Sequence, residues 1–152
     1  MDRISSETRS RNMALIKGRN TRPEFAVRRA LRALGIGYRL HVKSLPGKPD
    51  IVMQGRHKII EVRGCFWHRH HDCKFAYSPK SNKAFWTAKL NRNVQRDRQN
   101  LNELQNRGWD VLVIWECETK DVIALICLLE SFIWGKGSQS EKASRKKHFA
   151  KA

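Results

Sequence analysis

The sequence predicts one α/β domain, a mixed β-sheet flanked by helices, on three observations. The chain has 152 residues, enough for one sizeable core but not two. Short apolar runs alternate with stretches whose apolar residues recur at helical spacing, in the order α, α, β, β, β, α, β, α. Finally, 40% of the residues are hydrophobic, with five Trp and six Phe, which is too apolar for wholesale disorder. A mixed sheet with helices on its faces buries every apolar stripe in that order.

Each element has its own signal. Residues 1–17 read as a short helix with little apolar surface, capped by Ser5 or Ser6 and decorated by Arg3, Arg9, Arg11 and Lys17. Thr21-Arg-Pro-Glu24 is a capping-box pattern with Pro in the first turn. Phe25, Ala26, Leu31 and Leu34 follow at helical spacing, and Gly35 stops that helix. Residues 38–42 read as a short strand and 44–48, around Pro46-Gly47, as a turn. Residues 50–53 and 58–62 read as two strands joined through Gln54-Gly55-Arg56. Residues 64–81 show no regular element. Residues 85–107 form a long helix of about 34 Å, with Asp97 on its apolar stripe of Leu90, Val94, Leu101 and Leu104. Gly108 ends it. Residues 110–115 are a near-continuous apolar strand, expected to be buried on both faces. Residues 121–134 make a final apolar helix, and the polar, basic stretch 136–152 is expected to be a disordered tail. No internal repeat is visible.

The net charge is +17, from 31 Lys+Arg against 14 Asp+Glu. That excess points to a polyanionic partner, nucleic acid or an anionic membrane surface. No apolar run is long enough to span a bilayer, and the N-terminus lacks the apolar core of a secretory signal. The basic residues do not lie opposite a large apolar face, which ranks membrane binding last.

Two constellations carry chemistry. Cys65, His68, His70, His71 and Cys73 fall within nine residues, and Cys117 follows the last strand. Three thiolates with one imidazole make a closed tetrahedral set, the usual arrangement for structural Zn²⁺. Such a staple suits a loop lacking secondary structure. Cys127, inside an apolar helix, reads instead as a small buried hydrophobe. The second constellation is Pro49-Asp50 at the start of one strand and Glu61-Val62-Arg63 at the end of the next. Alternation aims Glu61 and Arg63 at one face, and antiparallel pairing brings Asp50 there. Carboxylates that hold a hard cation, with a basic group beside them, suit a Mg²⁺-dependent phosphodiesterase. A strand-end salt bridge fits the same residues, and so does a simple capping role for Glu24.

The motifs resemble those of the very short patch repair (Vsr) DNA mismatch endonucleases across residues 8–135. They are Arg9-Ser10-Arg11-Asn12-Met13, Leu45-Pro46-Gly47-Lys48-Pro49-Asp50, Gly64-Cys65-Phe66-Trp67-His68, Phe85-Trp86, Asn93 to Arg98, and Trp115-Glu116-Cys117. The resemblance implies a fold like that of type II restriction endonucleases with a structural zinc. It also implies nicking of the T-bearing strand beside a T:G mismatch. It makes Asp50 the Mg²⁺-binding carboxylate, adds the backbone carbonyl of Val62, and places Glu24, His68 and Asp97 in support. Cys65, His70, Cys73 and Cys117 match zinc ligands. Phe66, Trp67 and Trp86 match aromatics that wedge into the base stack, and the N-terminal segment, with Arg9 and Arg11, matches a DNA-embracing arm. The domain plan is then an arm over 1–20, an endonuclease domain over 21–135 and the tail.

Two departures stand out. The best-known members carry His where this chain has Arg63 and an apolar residue where it has Glu61. A guanidinium cannot act as a base near neutral pH, so Glu61 is free to join the Mg²⁺ site instead. The segment between Trp67 and Cys73 is one residue longer, which leaves His70 or His71 as the zinc ligand, with His70 preferred. The expected function is a Mg²⁺-dependent mismatch endonuclease acting on double-stranded DNA in the bacterial cytoplasm, as a monomer, with mismatch-repair proteins as family-level partners. The alternatives are a zinc-stabilised DNA-binding module without catalysis, or a PD-(D/E)xK-type nuclease of different specificity.

Overall fold

A computed structural model describes Ser5, Glu7, Thr8, Arg11 and residues 18–135. Its elements run α1 (Arg22–Ala33), β1 (Arg39–Leu40), β2 (Ile51–Met53), β3 (Lys58–Arg63), α2 (Lys83–Asn106), β4 (Asp110–Trp115) and α3 (Val122–Trp134). Of the expected 1–17 helix, Glu7, Thr8 and Arg11 are helical, and Ser5 Oγ accepts from the Thr8 N–H at 3.2 Å. Arg9 and residues 136–152 lie outside the described residues.

The described strands form one sheet in the order β1-β2-β3-β4. β1–β2 and β2–β3 pair antiparallel, while β3–β4 pair parallel through the α2 crossover. Strand alternation divides the core in two. Ile51, Met53, Ile60 and Ile114 pack against Val27, Ala30 and Leu31 of α1 and Leu125, Leu129 and Ile133 of α3. On the other face, Val52 and Ile59 meet Leu104 of α2 and Trp109. Each fully buried Leu or Ile contributes roughly 1.5–3 kcal/mol. Glu61 and Arg63 continue the Ile59 side, the face covered by α2.

Capping chemistry sets the element ends. Thr21 Oγ1 accepts the Glu24 N–H, with Pro in the first turn of α1. The turn before Asp50 presses on α2: Gly47 has φ +74°, and a Cβ there would meet Asn100 Nδ2 at 2.6 Å.

Four expectations are corrected. The strand over 38–42 is only Arg39–Leu40, because His41 turns out of extended backbone at φ +46°. Strand β4 is not buried on both faces: among the described residues it is a sheet edge paired only to β3, and of its residues only Ile114 is fully buried. Phe25 is 44% exposed, because α1 turns Glu24, Val27, Ala30 and Leu31 inward. Cys127 is exposed, because α3 buries Leu125, Leu129 and Ile133 on its opposite side. Glu116–Lys120 forms a 3-10 turn that the sequence reading did not anticipate.

Candidate active site and metal cluster

Asp50 opens β2 one step beyond the Ile51–Ile60 pair, so it shares the α2-side face with Glu61. Its Oδ2 accepts the Val62 N–H at 2.8 Å, which ties the end of β3 to this carboxylate. Burial pushes the Asp50 carboxyl up to about 6, the Val62 N–H opposes that, and the charges of Glu24 and Glu61 add to it. Glu61 is itself matched: Arg63 Nη2 donates to its Oε2 at 2.7 Å, with both side chains largely buried.

Glu24 is buried at 2% exposure. Its Oε2 accepts from the Asn20 N–H at 2.8 Å and from Arg28 at 3.2 Å. The capping box is therefore shifted one residue outward, since the carboxylate reaches Asn20 rather than the cap residue Thr21. The imidazole of His41 lies 3.2 Å from the same oxygen and 4.0 Å from Asp50 Oδ1. The sequence reading passed over His41. Its signal was the strand pairing itself: a hairpin with Arg39 opposite Val52 aligns His41 with Asp50.

Across the cleft, His68 Nδ1–H donates to Asp97 Oδ2 at 2.6 Å. This bond explains an acid on the apolar stripe of α2, and it leaves the other ring nitrogen for a ligand. Asp50, Glu61, Val62, Arg63, His68, Glu24 and Asp97 all line one open cleft of about 1010 Å³. Arg19, Lys43, Lys48 and Lys89 border it and supply positive charge for a polyanion.

The aromatic group sits at one end of this cleft. Phe66, Trp67 and Trp86 are half-buried, with ring centroids 5.0–5.9 Å apart. Lys89 Nζ stands 5.6 Å from the Trp67 ring centroid and 6.0 Å from that of Trp86. Tyr77, which the sequence reading did not single out, adds a fourth ring 4.9 Å from Phe66 and is 62% exposed. Arg11 is exposed.

The residues of the Cys/His cluster bracket Trp67 in sequence. One ligand atom each of Cys65, His70, Cys73 and Cys117 lies within 4.8 Å of the rest. His70 Nδ1 is 3.6 Å from Cys65 Sγ and 3.4 Å from Cys117 Sγ. A tetrahedral Zn²⁺ with ordinary bond lengths separates sulfur and nitrogen ligands by about 3.6 Å, so the donor set fits that ion. The ring of His70 stacks on Trp115 at 4.3 Å, which fixes its orientation. His71 is instead exposed and paired with Asp72. Among the thiols, burial pushes Cys65 up to about 12 and raises Cys117. At Cys73, burial is outweighed by the Phe75 backbone N–H and the neighbouring thiols, so its pKa falls. No helix among the described residues is long and apolar enough to cross a membrane.

Comparison with known proteins gives a consistent set of relatives. The family described as DNA mismatch endonuclease Vsr matches residues 1–75. A type II nicking enzyme of Xanthomonas oryzae, V.XorIIP, is 42% identical over 132 residues, covering 87% of this chain and 96% of the relative. The DNA mismatch endonuclease Vsr of Escherichia coli is 39% identical over 139 residues, 88% of each chain. A type II nicking enzyme of Neisseria meningitidis, V.NmeAIP, is 40% identical over 120 residues, 79% of this chain and 85% of the relative.

Proposed function

The chain belongs to the Vsr family of DNA mismatch endonucleases, and from that premise we propose that this endonuclease nicks one strand of duplex DNA beside a T:G mismatch. The observation that carries the reading is Asp50. It is a half-buried carboxylate with no Lys or Arg ion pair among the described residues, in a cleft bordered by Arg19, Lys43, Lys48 and Lys89 and set beside half-buried aromatic rings. No Lys or Arg among the described residues offsets the charge of Asp50, and the phosphodiester backbone brings more negative charge.

In this reading Asp50 and the Val62 carbonyl would hold Mg²⁺, and Glu61 would contribute a further anionic oxygen. The ion supplies charge neutralisation and an activated water. His68, held in one tautomer by Asp97, moves a proton at its free nitrogen. Arg63 offsets Glu61 and presents its remaining N–H groups to phosphate. Glu24 orients the carboxylate side of the cleft from the start of α1. Phe66, Trp67 and Trp86 enter the base stack, where a mismatch lowers the cost of unstacking. Cys65, His70, Cys73 and Cys117 would hold Zn²⁺, which would staple the loop that carries two of those rings. The core has the restriction-endonuclease-like plan over 21–135, residues 1–20 embrace the DNA with Arg9 and Arg11, and 136–152 is a basic tail. The protein acts as a monomer in the cytoplasm, alongside mismatch-repair proteins.

The test is a nicking assay on T:G and matched duplexes, with and without Mg²⁺, for wild type and Asp50→Ala. Wild type nicks the T strand of the T:G duplex only with Mg²⁺, and Asp50→Ala binds that duplex without cutting it. Binding without nicking by wild type makes the protein a zinc-stabilised binding module. Equal cutting of both duplexes makes it a nuclease of different specificity.

A further inference from the structure

Glu24, His41 and Asp50 come from α1, the turn after β1 and the start of β2, yet one ligand atom of each lies within 4.8 Å of the others. Resting on the Asp50-centred reading above, we infer that His41 ligates the ion held by Asp50, with Glu24 as the third side chain of that set, and that the imidazole nitrogen makes the site take Mn²⁺ in preference to Mg²⁺.

The spacing fits one ion. His41 Nε2 lies 3.2 Å from Glu24 Oε2 and 4.0 Å from Asp50 Oδ1. In an octahedral shell with bonds of about 2.2 Å, neighbouring donors are about 3.1 Å apart and opposite donors about 4.4 Å apart. The 3.2 Å pair matches neighbouring donors and the 4.0 Å pair lies between the two ideal spacings, so a bound ion replaces the His41–Glu24 hydrogen bond with a small rotation of the Asp50 carboxylate. With its proton on Nδ1, the ring offers Nε2 as a lone-pair donor.

The supports are already in place. The His41 N–H donates to the Asp50 carbonyl at 3.1 Å, so ring and carboxylate are held on one rigid step of the hairpin. Glu24 keeps its Asn20 and Arg28 contacts when His41 turns to a metal, and these orient its carboxylate. The charge balance asks for a cation here. Glu24 has Arg28 and Glu61 has Arg63, while among the described residues Asp50 has the Val62 N–H and the more distant imidazole but no Lys or Arg.

Donor chemistry then sets the preference. Mg²⁺ is bound through oxygen and gains little from an imidazole, whereas Mn²⁺ accepts mixed nitrogen and oxygen ligands. The same physical site therefore discriminates between two ions that an all-oxygen site would separate poorly.

The experiment uses the full, zinc-loaded chain and Mn²⁺ itself as probe. Free Mn²⁺ is counted by electron paramagnetic resonance during titration, with Mg²⁺ as competitor, and pulsed spectra report ¹⁴N coupling to the bound ion. The variants are His41→Asn, which tolerates the left-handed backbone at φ +46°, and Asp50→Ala. Wild type should bind one Mn²⁺ in this cleft with ¹⁴N coupling, about tenfold or more tighter than Mg²⁺. His41→Asn should lose the coupling and most of the preference while keeping Mg²⁺ affinity within about threefold. A preference and coupling unchanged in His41→Asn, in a variant whose thermal melt shows it folded, overturn the inference and leave His41 a hydrogen-bond partner only. Failure of the wider reading looks different: Asp50→Ala would still nick the T:G duplex, whatever the spectra of His41→Asn.

Discussion

Asp50 carries opposite demands from folding and from chemistry. Its carboxyl rises from 3.8 to about 6, chiefly through burial. Below pH 3.8 both folded and unfolded chains carry the proton, and the group costs nothing. Between 3.8 and about 6 the unfolded chain releases it first, so stability falls as pH rises. Above 6 the folded chain holds the half-buried anion at full cost. Asp50→Asn keeps an acceptor for the Val62 N–H. It should therefore stabilise the protein by roughly 2–3 kcal/mol at pH 7–8 and by nothing near pH 3.5, while abolishing nicking. Thermal melts across that range, without added Mg²⁺, check the sign. The Glu61–Arg63 pair makes a second case. Arg63→Met leaves Glu61 buried without its partner and should cost about 3 kcal/mol in urea melts, and adding Glu61→Gln should return most of it. Equal losses in the single and double variants would show that the guanidinium contributes through packing alone. The sequence pattern reached both positions because alternation along β3 fixes which face a side chain takes. It missed His41 because a lone histidine has no motif. Its role appears only once Arg39 is registered against Val52.

At the scale of elements, the sequence was most legible where periodicity was strong. Helix α2, the β2–β3 pair and the α2-crossed strand β4 all stand where the pattern put them, because long apolar stripes and glycine stops leave few alternatives. Burial was less legible. Cys127 and Phe25 sit inside apolar runs, but which side of a helix faces the core is decided by its neighbours, here Leu129 and Val27. The 64–81 loop has no helix or strand to hold it. If that loop is held by the proposed Zn²⁺, Cys117→Ala should lose one Zn²⁺ per chain and melt well below wild type, whereas the exposed Cys127→Ala should match wild type in both. Metal content by atomic emission and melting curves decide it. That loop also holds Trp67 against Phe66 and Trp86. Trp67→Ala should lower affinity for the T:G duplex far more than for the matched one. Equal losses on both duplexes would remove the wedge role.

Over the whole molecule, the net charge of +17 makes long-range attraction to DNA strong and salt-dependent. Lys43→Ala with Lys89→Ala should reduce the slope of log affinity against log salt by about two, on T:G and matched duplexes alike, in filter-binding or anisotropy titrations. An unchanged slope would place both lysines away from phosphate. The strand order has a kinetic consequence as well. β2 and β3 are neighbours in sequence, joined by the four residues 54–57, so that hairpin closes a short loop. The β3–β4 pair closes only after the chain has travelled through α2. Cys65 and Cys117 flank the same crossover, so a metal bridging them ties a long loop that the parallel strands must otherwise close unaided. Zn²⁺ present from the start of refolding should speed the slow, topology-limited phase, and Zn²⁺ added after that phase should raise stability without changing its rate.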